Sequence, residues 1–145
     1  MYLEDLYSKE FMEDIGKKDL KEIITNLSPK LLSERFVFCS VSEDMFQNYV
    51  GAEPMAIIRE KEGITLLITE MSAKNNKFKY IGPFMCISLE VHSSLYSIGL
   101  IALVSNKLSD SGISTNVVSG YYHDHLFIKV DQAQEALNVL KTIDI

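Results

Sequence analysis

The sequence lacks the features that mark several large classes of protein. It has only two cysteines, Cys39 and Cys86, each inside an apolar run, and their spacing matches no redox or zinc motif. We therefore interpret both as buried free thiols. Basic residues form no cluster beyond Lys74, Lys77 and Lys79, and the net charge is −6. We expect no nucleic-acid partner, because binding to a phosphate backbone requires a basic surface.

Long hydrophobic runs are lacking as well. The longest weakly charged stretch, Ile81 to Asn106, is interrupted by Glu90 and the polar residues 92–94. This leaves a stretch of about ten mostly apolar residues, Leu95 to Val104, which is too short to cross a bilayer. The acidic segment 1–16 has no apolar core of the kind found in a secretory signal. We therefore expect no membrane partner and a cytoplasmic location.

Catalytic signatures are missing too. The sequence contains no phosphate-binding loop, no dinucleotide glycine fingerprint and no nucleophile elbow. Hydrophobic residues nevertheless make up 47% of the chain, which is enough to build a core without disulfides or metal. These observations favour a folded protein that is not an enzyme and that carries no cofactor.

The first half of the sequence predicts helix followed by strands. An apolar stripe at helical spacing predicts a helix that starts near Lys17 and ends before Pro29. Apolar residues between Tyr2 and Phe11 favour a short further helix. The polar residues 72–79 are expected to form a loop or a short helix. A hairpin turn is expected at residues 60–63. The expected strands are Phe36–Val41, Pro54–Arg59 and Ile64–Thr69.

The second half alternates strands and helices. Apolar and polar residues alternate from Met85 to Val91, which predicts a half-buried strand whose polar face ends at His92. A helix is expected over 97–110, with Gly112 at the left-handed position that follows it. Two further strands are expected, Thr115–Tyr121 and Leu126–Val130.

A last helix completes the second half. Asp131 is expected to cap it, with Gln134 three residues later in a capping-box arrangement. The order β-α-β-β-α contains five of the six elements of a ferredoxin-like unit, so the missing strand must come from the first half. We therefore predict an α+β fold with two ferredoxin-like halves that share sheet edges, with antiparallel sheets covered by helices.

All three histidines lie in the second half, beside other polar side chains. Residues 92–95 join a strand to a helix N-terminus, where free backbone N–H groups favour an anionic group. Residues 120–125 join two strands. We expect these two segments to converge into a polar pocket against an apolar body, which would suit a small zwitterion.

Other interpretations of these residues stay open. Ser93 and Ser94 could simply cap the helix, and the tyrosines at 121 and 122 could be packing residues with a wet hydroxyl. A nucleophilic Ser-His pair would need a geometry that the sequence does not fix. The residues His92, His123, Asp124 and His125 would supply enough ligands for zinc, although the spacing from 92 to 123 makes that signal weak.

Four short motifs stand out in the second half of the sequence. They are Val-His-Ser-Ser-Leu at 91–95, Gly-Leu at 99–100, Gly-Ile-Ser-Thr-Asn-Val-Val at 112–118 and Gly-Tyr-Tyr-His-Asp-His-Leu-Phe at 120–127. Together they resemble a family of small ACT-domain proteins with two ACT-like halves in tandem. The strong resemblance covers about residues 85–140, and a weaker one includes residues 36–38 and 62–66. It implies a ferredoxin-like (ACT-like) fold divided into an N-terminal extension (1–16), a first half (17–82) and a second half (83–145).

The resemblance also implies a regulatory or sensing function. ACT domains usually bind an amino acid at an interface between ACT units, near the loop from the first strand to the first helix and against the second strand. Here those segments are 92–99 and 116–122. One departure is Ile101, which stands where relatives often carry a small polar residue. The candidate ligand-binding residues are His92, Ser93, Ser94, Leu95, Gly99, Asn116, Val117 and Tyr121, with His123, Asp124 and His125 as additions specific to this family.

Three hypotheses for function follow. The first is a regulatory or sensor protein that binds a small molecule, with an amino acid as the suspected ligand. The second is a metal-binding protein or enzyme that uses His92, His123 and His125. The third is a homodimeric interaction module without a ligand, since exposed sheet edges favour association.

Overall fold

The computed structural model describes residues 16–48 and 50–145. The expected N-terminal extension and its short helix lie, apart from Gly16, outside these residues. The described helices are α1 (Leu20–Thr25), α2 (Glu70–Asn75), α3 (Leu100–Asp110) and α4 (Ala133–Lys141), with short 3-10 helices at Glu43–Asn48, Val50–Ala52 and Val130–Gln132. The described strands are β1 (Pro29–Val41), β2 (Ala56–Arg59), β3 (Ile64–Thr69), β4 (Ile81–Leu89), β5 (Thr115–Ser119) and β6 (Asp124–Lys129).

All six strands form one antiparallel sheet in the order β2-β3-β1-β4-β6-β5. The long strands β1 and β4 lie at its centre, with Pro29 opposite Leu89 and Phe36 opposite Phe84. Each half therefore has the strand order of a ferredoxin-like unit, and each takes its fourth strand from the other half. The predicted α+β, helix-covered antiparallel architecture is confirmed. The division at residues 82 and 83 stays a prediction, because β4 takes part in both units.

Helices cover one face of the sheet. Inward residues of β4 and β6 pack with α1, α3 and α4 in the larger core cluster, which includes Ile87, Leu126 and Val104. A second cluster joins β1 and β3 to Ala73 of α2. Burying one large apolar side chain contributes roughly 1.5–3 kcal/mol. These two clusters fix the ends of the strands, and hence the loops that follow β4 and β5.

The opposite face of the sheet is also apolar. Phe36, Leu67, Cys86 and Phe127 form a buried cluster made of strand residues, in which Phe36 and Phe127 meet edge to face with ring centroids 5.7 Å apart. The prediction that the strand around Met85–Val91 is half-buried is therefore wrong. Its other face is buried too, since Cys86 is 0% and Ser88 is 4% exposed.

The sequence predicted the local structure at two helix ends, the C-terminal end of α3 and the N-terminal end of α4. Gly112 has φ +71°, and the N–H groups of Gly112 and Ile113 donate to the carbonyls of Ser109 and Leu108, as predicted for a left-handed end of α3. The predicted capping box at Asp131 is wrong. Residues 130–132 form a 3-10 turn, and α4 begins after Gln132 without a side-chain cap.

Candidate ligand site between the β4–α3 loop and the β5–β6 turn

Two connections meet at one end of the sheet. The first is the β4–α3 loop, residues 90–99, and the second is the β5–β6 turn, residues 120–123. The turn is closed by the Gly120 N–H, which donates to the His123 carbonyl over 2.9 Å. Tyr121 therefore lies in the turn and not at the end of a strand. Residues of both connections line one cavity of about 160 Å³.

Six of the expected ligand residues line this cavity, and so do six others. The expected residues are Ser93, Ser94, Leu95, Gly99, His123 and Asp124. The residues not anticipated as ligand groups are Ser97, Leu100, Ile101, Ala102, Ser119 and Gly120. Most of the second group lies between motifs that had been singled out. The lining residues at the start of α3 could have been anticipated from the sequence, because a helix N-terminus brings several consecutive residues to the same site.

The N-terminus of α3 forms one wall of the cavity. Gly99 caps the helix with φ +102° and no side-chain hydrogen bond, and Leu100, Ile101 and Ala102 follow it in the lining. The first backbone N–H groups of a helix have no partner within the helix, and the helix dipole makes this end partly positive. This wall is therefore suited to a carboxylate or another small anion.

Asp124 supplies the negative charge of the cavity. It is only 8% exposed, and the Ser119 hydroxyl donates to its Oδ1 over 2.5 Å. No lysine or arginine is among the described residues that line the cavity. A buried carboxylate needs a compensating partner, so the cavity can accept a small cationic group beside Asp124.

Two further polar residues belong to the lining. Ser93 is 8% exposed, and its backbone N–H donates to the Val91 carbonyl. The Nδ1 atom of His123 is buried and has no hydrogen-bond partner among the described residues. Leaving such an atom unsatisfied costs about 1–3 kcal/mol.

His92 lies behind the loop and not in the cavity lining. Its ring centroid is 5.1 Å from that of Tyr122 and 6.2 Å from that of Tyr121. Its carbonyl accepts from the Lys17 N–H, and the Lys17 carbonyl accepts from the Ser94 N–H, over 2.8 and 2.7 Å. Gly16 is packed so closely that an added Cβ would lie 2.7 Å from the His92 carbonyl oxygen. His92 therefore positions the loop.

Asn116, Val117 and His125 are not brought to the cavity either. Val117 packs against the helix-side core, whereas Asn116 pairs with Phe127 and lies, exposed, on the other face of the sheet. His125 shares that other face, where burial and then the nearby His123 lower its pKa, opposed by the charge of Asp124. Ligand roles for these three residues, for His92 and for Tyr121 stay predictions.

The metal hypothesis finds no donor set in the described part of the chain. No group of three or more His, Cys, Asp or Glu side chains there could hold a metal ion. His92 contacts the tyrosines of the turn, and His125 lies on the opposite face of the sheet from Asp124, its neighbour in β6. Among the described helices, none is long and apolar enough to span a membrane.

Comparison with protein families identifies two domains of one kind. Models of the ACT domain match residues 15–85 and residues 83–142. A protein of unknown function from Vibrio cholerae, called a possible transport protein, is 34% identical to this chain. The match covers 92% of this chain and 97% of the other, with a TM-score of 0.74. A comparison with curated proteins gave no significant match.

More distant structures share the fold alone. A protein from Agobacterium tumefaciens is 17% identical, with 79% of this chain and 87% of that chain covered and a TM-score of 0.62. The regulatory subunit of aspartate kinase from Thermus thermophilus is 10% identical, with 81% and 97% covered and a TM-score of 0.62. At these identities the likeness concerns the arrangement of strands and helices.

Proposed function

Because the chain belongs to the ACT-domain family, with two such domains in tandem, we propose that it is a regulatory protein that binds a small amino acid. The proposed site is the cavity between the β4–α3 loop and the β5–β6 turn, in the second half. One observation carries this proposal: the same cavity is lined by the N-terminus of α3 and by the buried carboxylate of Asp124.

The two charged ends of an amino acid match these two features. The α-carboxylate accepts hydrogen bonds from the free N–H groups at the start of α3, and the α-ammonium pairs with Asp124. A charge at a helix N-terminus is typically stabilised by about 0.3–1 kcal/mol, and by up to about 2 kcal/mol when partly buried. A hydrogen bond to a charged group contributes about 1.5–3 kcal/mol. Ser119 holds the carboxylate of Asp124 in place.

No catalytic step is needed for this function. The regulatory subunit of aspartate kinase, which has the same fold, is by name a regulatory component. We propose the same type of role here, in which occupancy of the site changes the stability or the contacts of the chain. The partner that receives the signal would recognise the surface around the two connections.

We also propose that the protein can form a homodimer. Strand β2 is one edge of the sheet, and its Ile57 and Ile58 side chains are 46% and 43% exposed. An edge strand with exposed apolar side chains is suited to pairing with another chain. A homodimer that pairs through β2 would be compatible with ligand binding at the cavity, which lies in the second half of the chain.

A thermal-shift screen against the twenty amino acids tests the proposal, followed by calorimetry on any compound that stabilises the protein. Ligand at 100 times its Kd should raise the unfolding free energy by about 2.7 kcal/mol. The variant Asp124→Asn should bind at least tenfold more weakly, because the partner of the ammonium group is neutralised. Asp110→Asn, at the far end of α3, is the matched control and should bind normally. Saturating amino acids that leave the melting temperature unchanged would refute the proposal.

A further inference from the structure

We propose that the segment 16–19 is a strap that holds both connections of the cavity and couples them to the N-terminal side of the chain. This strap leads directly into α1. The proposal concerns the cavity whatever molecule it binds, and only the regulatory use of the strap rests on the proposed function.

The strap pairs with the β4–α3 loop in the manner of a short parallel strand. Lys17 and Ser93 form an isolated parallel bridge. The Lys17 N–H donates to the His92 carbonyl over 2.8 Å, and the Ser94 N–H donates to the Lys17 carbonyl over 2.7 Å. These two bonds lie on either side of Ser93, which lines the cavity. A displacement of the strap would therefore change the position of the cavity wall.

The imidazole ring of His92 extends this contact to the β5–β6 turn. A Cβ added at Gly16 would lie 2.7 Å from the His92 carbonyl oxygen and 2.8 Å from its Cδ2 atom, so the backbone and the ring of His92 both lie against the strap. The centroid of the same ring is 5.1 Å from that of Tyr122, which belongs to the turn. One residue of the loop therefore contacts both the strap and the turn.

Helix α1 anchors the strap to the core and reaches the other end of the loop. Ile23 and Ile24 are buried in the cluster that also contains Val104 of α3. Leu20, at the start of α1, lies so close to Gly99 that a Cβ added to this glycine would be 3.1 Å from Leu20 Cδ2. The segment therefore supports the loop near its beginning and near its end. A ferredoxin-like unit has two helices, which in the second half are α3 and α4, so α1 and the strap are additions to that unit.

The strap has two arrangements, docked on the loop and displaced from it. Docking holds the loop directly and the turn through His92, whereas displacement releases both. A molecule that binds the cavity more tightly when the strap is docked must itself stabilise docking to the same extent, because coupling between two sites is reciprocal. Occupancy of the cavity is thereby transmitted to residue 16, and any interaction that displaces the strap weakens binding.

Hydrogen exchange of the full chain, followed amide by amide by NMR, tests the proposal without a ligand. Gly16→Ala should displace the strap, because the added Cβ would overlap a backbone oxygen, and exchange of the Ser94 N–H should become roughly tenfold faster. The Gly120 N–H, which closes the turn, should also exchange faster. Gly112→Ala is the matched control, because it places alanine at φ +71°, as compared with +87° at Gly16, with nothing within 4 Å of the added Cβ. This control should leave the exchange of Ser94 and Gly120 unchanged.

The variant His92→Ala shows whether the ring carries the coupling to the turn. It keeps the backbone hydrogen bonds of the strap, so Ser94 should stay protected while Gly120 exchanges faster. Adding Gly16→Ala to this variant should then speed exchange at Ser94 with little further change at Gly120. If Gly16→Ala on its own speeds exchange at Ser94 and not at Gly120, the strap is a local anchor and the proposal is overturned.

A second variant and the unmodified protein keep the test decisive. Lys17→Pro removes the N–H that donates to His92, and unchanged exchange at Ser94 in this variant and in Gly16→Ala would also overturn the proposal. In the unmodified protein, the amides of Lys17, Ser94 and Gly120 should open as one unit, with the same dependence on low concentrations of denaturant. Separate opening of Gly120 would contradict the coupling even if the variants failed to fold. Failure of amino acids to bind would remove the proposed function and leave these exchange results as they are.

Discussion

Asp124 and His125 are neighbours in sequence, but their side chains lie on opposite faces of the sheet. Both lie in β6, where side chains alternate, so Asp124 shares the helix side with Leu126 while His125 shares the other side with Phe127. The expected strand began at Leu126, which left the two residues in a loop where both could have faced one pocket. The start of the strand at Asp124 therefore decides which of them reaches the ligand cavity.

His125 gives the protein a pH dependence that does not involve the ligand. Burial, followed by repulsion from His123, lowers its pKa from the ordinary value of 6.5. At pH values between the lowered pKa and 6.5, the unfolded chain binds a proton at this histidine and the folded chain does not. Stability therefore rises with pH through this window and falls as the pH is lowered from 6.5. We expect denaturant titrations of the unmodified protein to show this fall.

The variant His125→Gln should have a flatter profile of unfolding free energy over the same pH window. Titration of the carboxyl groups occurs in both proteins, so the difference between the two curves isolates the histidine. Curves that stay parallel between pH 7 and pH 5 would show that His125 does not carry the effect.

At the scale of elements, the N-terminus of α3 is the part of the site that depends most on backbone conformation. Gly99 has φ +102°, a left-handed conformation that costs other residues about 1–2 kcal/mol. We expect Gly99→Ala to lower the unfolding free energy by about this amount. It should also weaken amino-acid binding, because relief of the strained φ would reorient the first N–H groups of the helix, whereas the new Cβ would meet only Leu20 Cδ2, at 3.1 Å.

Gly112 provides the matched control for Gly99. It lies at the other end of α3 with φ +71°, and an added Cβ would meet nothing within 4 Å. Gly112→Ala should therefore cost a similar amount of stability in chemical denaturation but leave the affinity for the amino acid unchanged. Equal losses of affinity in the two variants would mean that binding follows overall stability and not the geometry of the helix start.

Elements with strong local signals were predictable from sequence, and those set by partner strands were not. The hairpin at residues 60–63 and the strand Ile64–Thr69 were confirmed, because a turn bounded by charged residues and glycine joins two apolar runs. The first part of β1 was missed, since residues 30–35 are mostly polar. Pairing with β4 recruits this segment, with Lys30 opposite Ser88, and such long-range pairing leaves no periodic pattern in the sequence.

The same contrast holds for the site. The polar segments 92–95 and 120–125 were recognisable, and their convergence follows from the ferredoxin-like topology. Asn116 was chosen by resemblance alone, and its parity in β5 places it across the sheet from Asp124. Ser119 was missed because its importance comes from a hydrogen bond to Asp124, its partner across the strands. Side-chain direction at strand ends therefore limited the prediction more than the choice of segments did.

At the scale of the whole molecule, the two halves repeat one topology but not one site. In the second half Ser119 is paired with Asp124, and in the first half Arg59 occupies the corresponding place opposite Ile64. Both turns are closed in the same way, since the Gly120 N–H donates to His123 and the Glu60 N–H donates to Gly63, each over 2.9 Å. The buried carboxylate of the second half therefore corresponds to an isoleucine in the first half that is 1% exposed.

The chain should accordingly bind one amino acid, not two. In the first half, the guanidinium of Arg59 is paired with the Glu43 carboxylate, and 3-10 helices replace the long helix whose N-terminus could receive a ligand carboxylate. Titration calorimetry should give one ligand per chain, and Asp124→Asn should weaken that single site without exposing a second. Arg59→Ala, on the opposite half, should leave the stoichiometry and the affinity unchanged. Two equivalents bound per chain would show that the first half keeps a site despite its isoleucine, and that the α3 N-terminus and Asp124 are not both required for recognition.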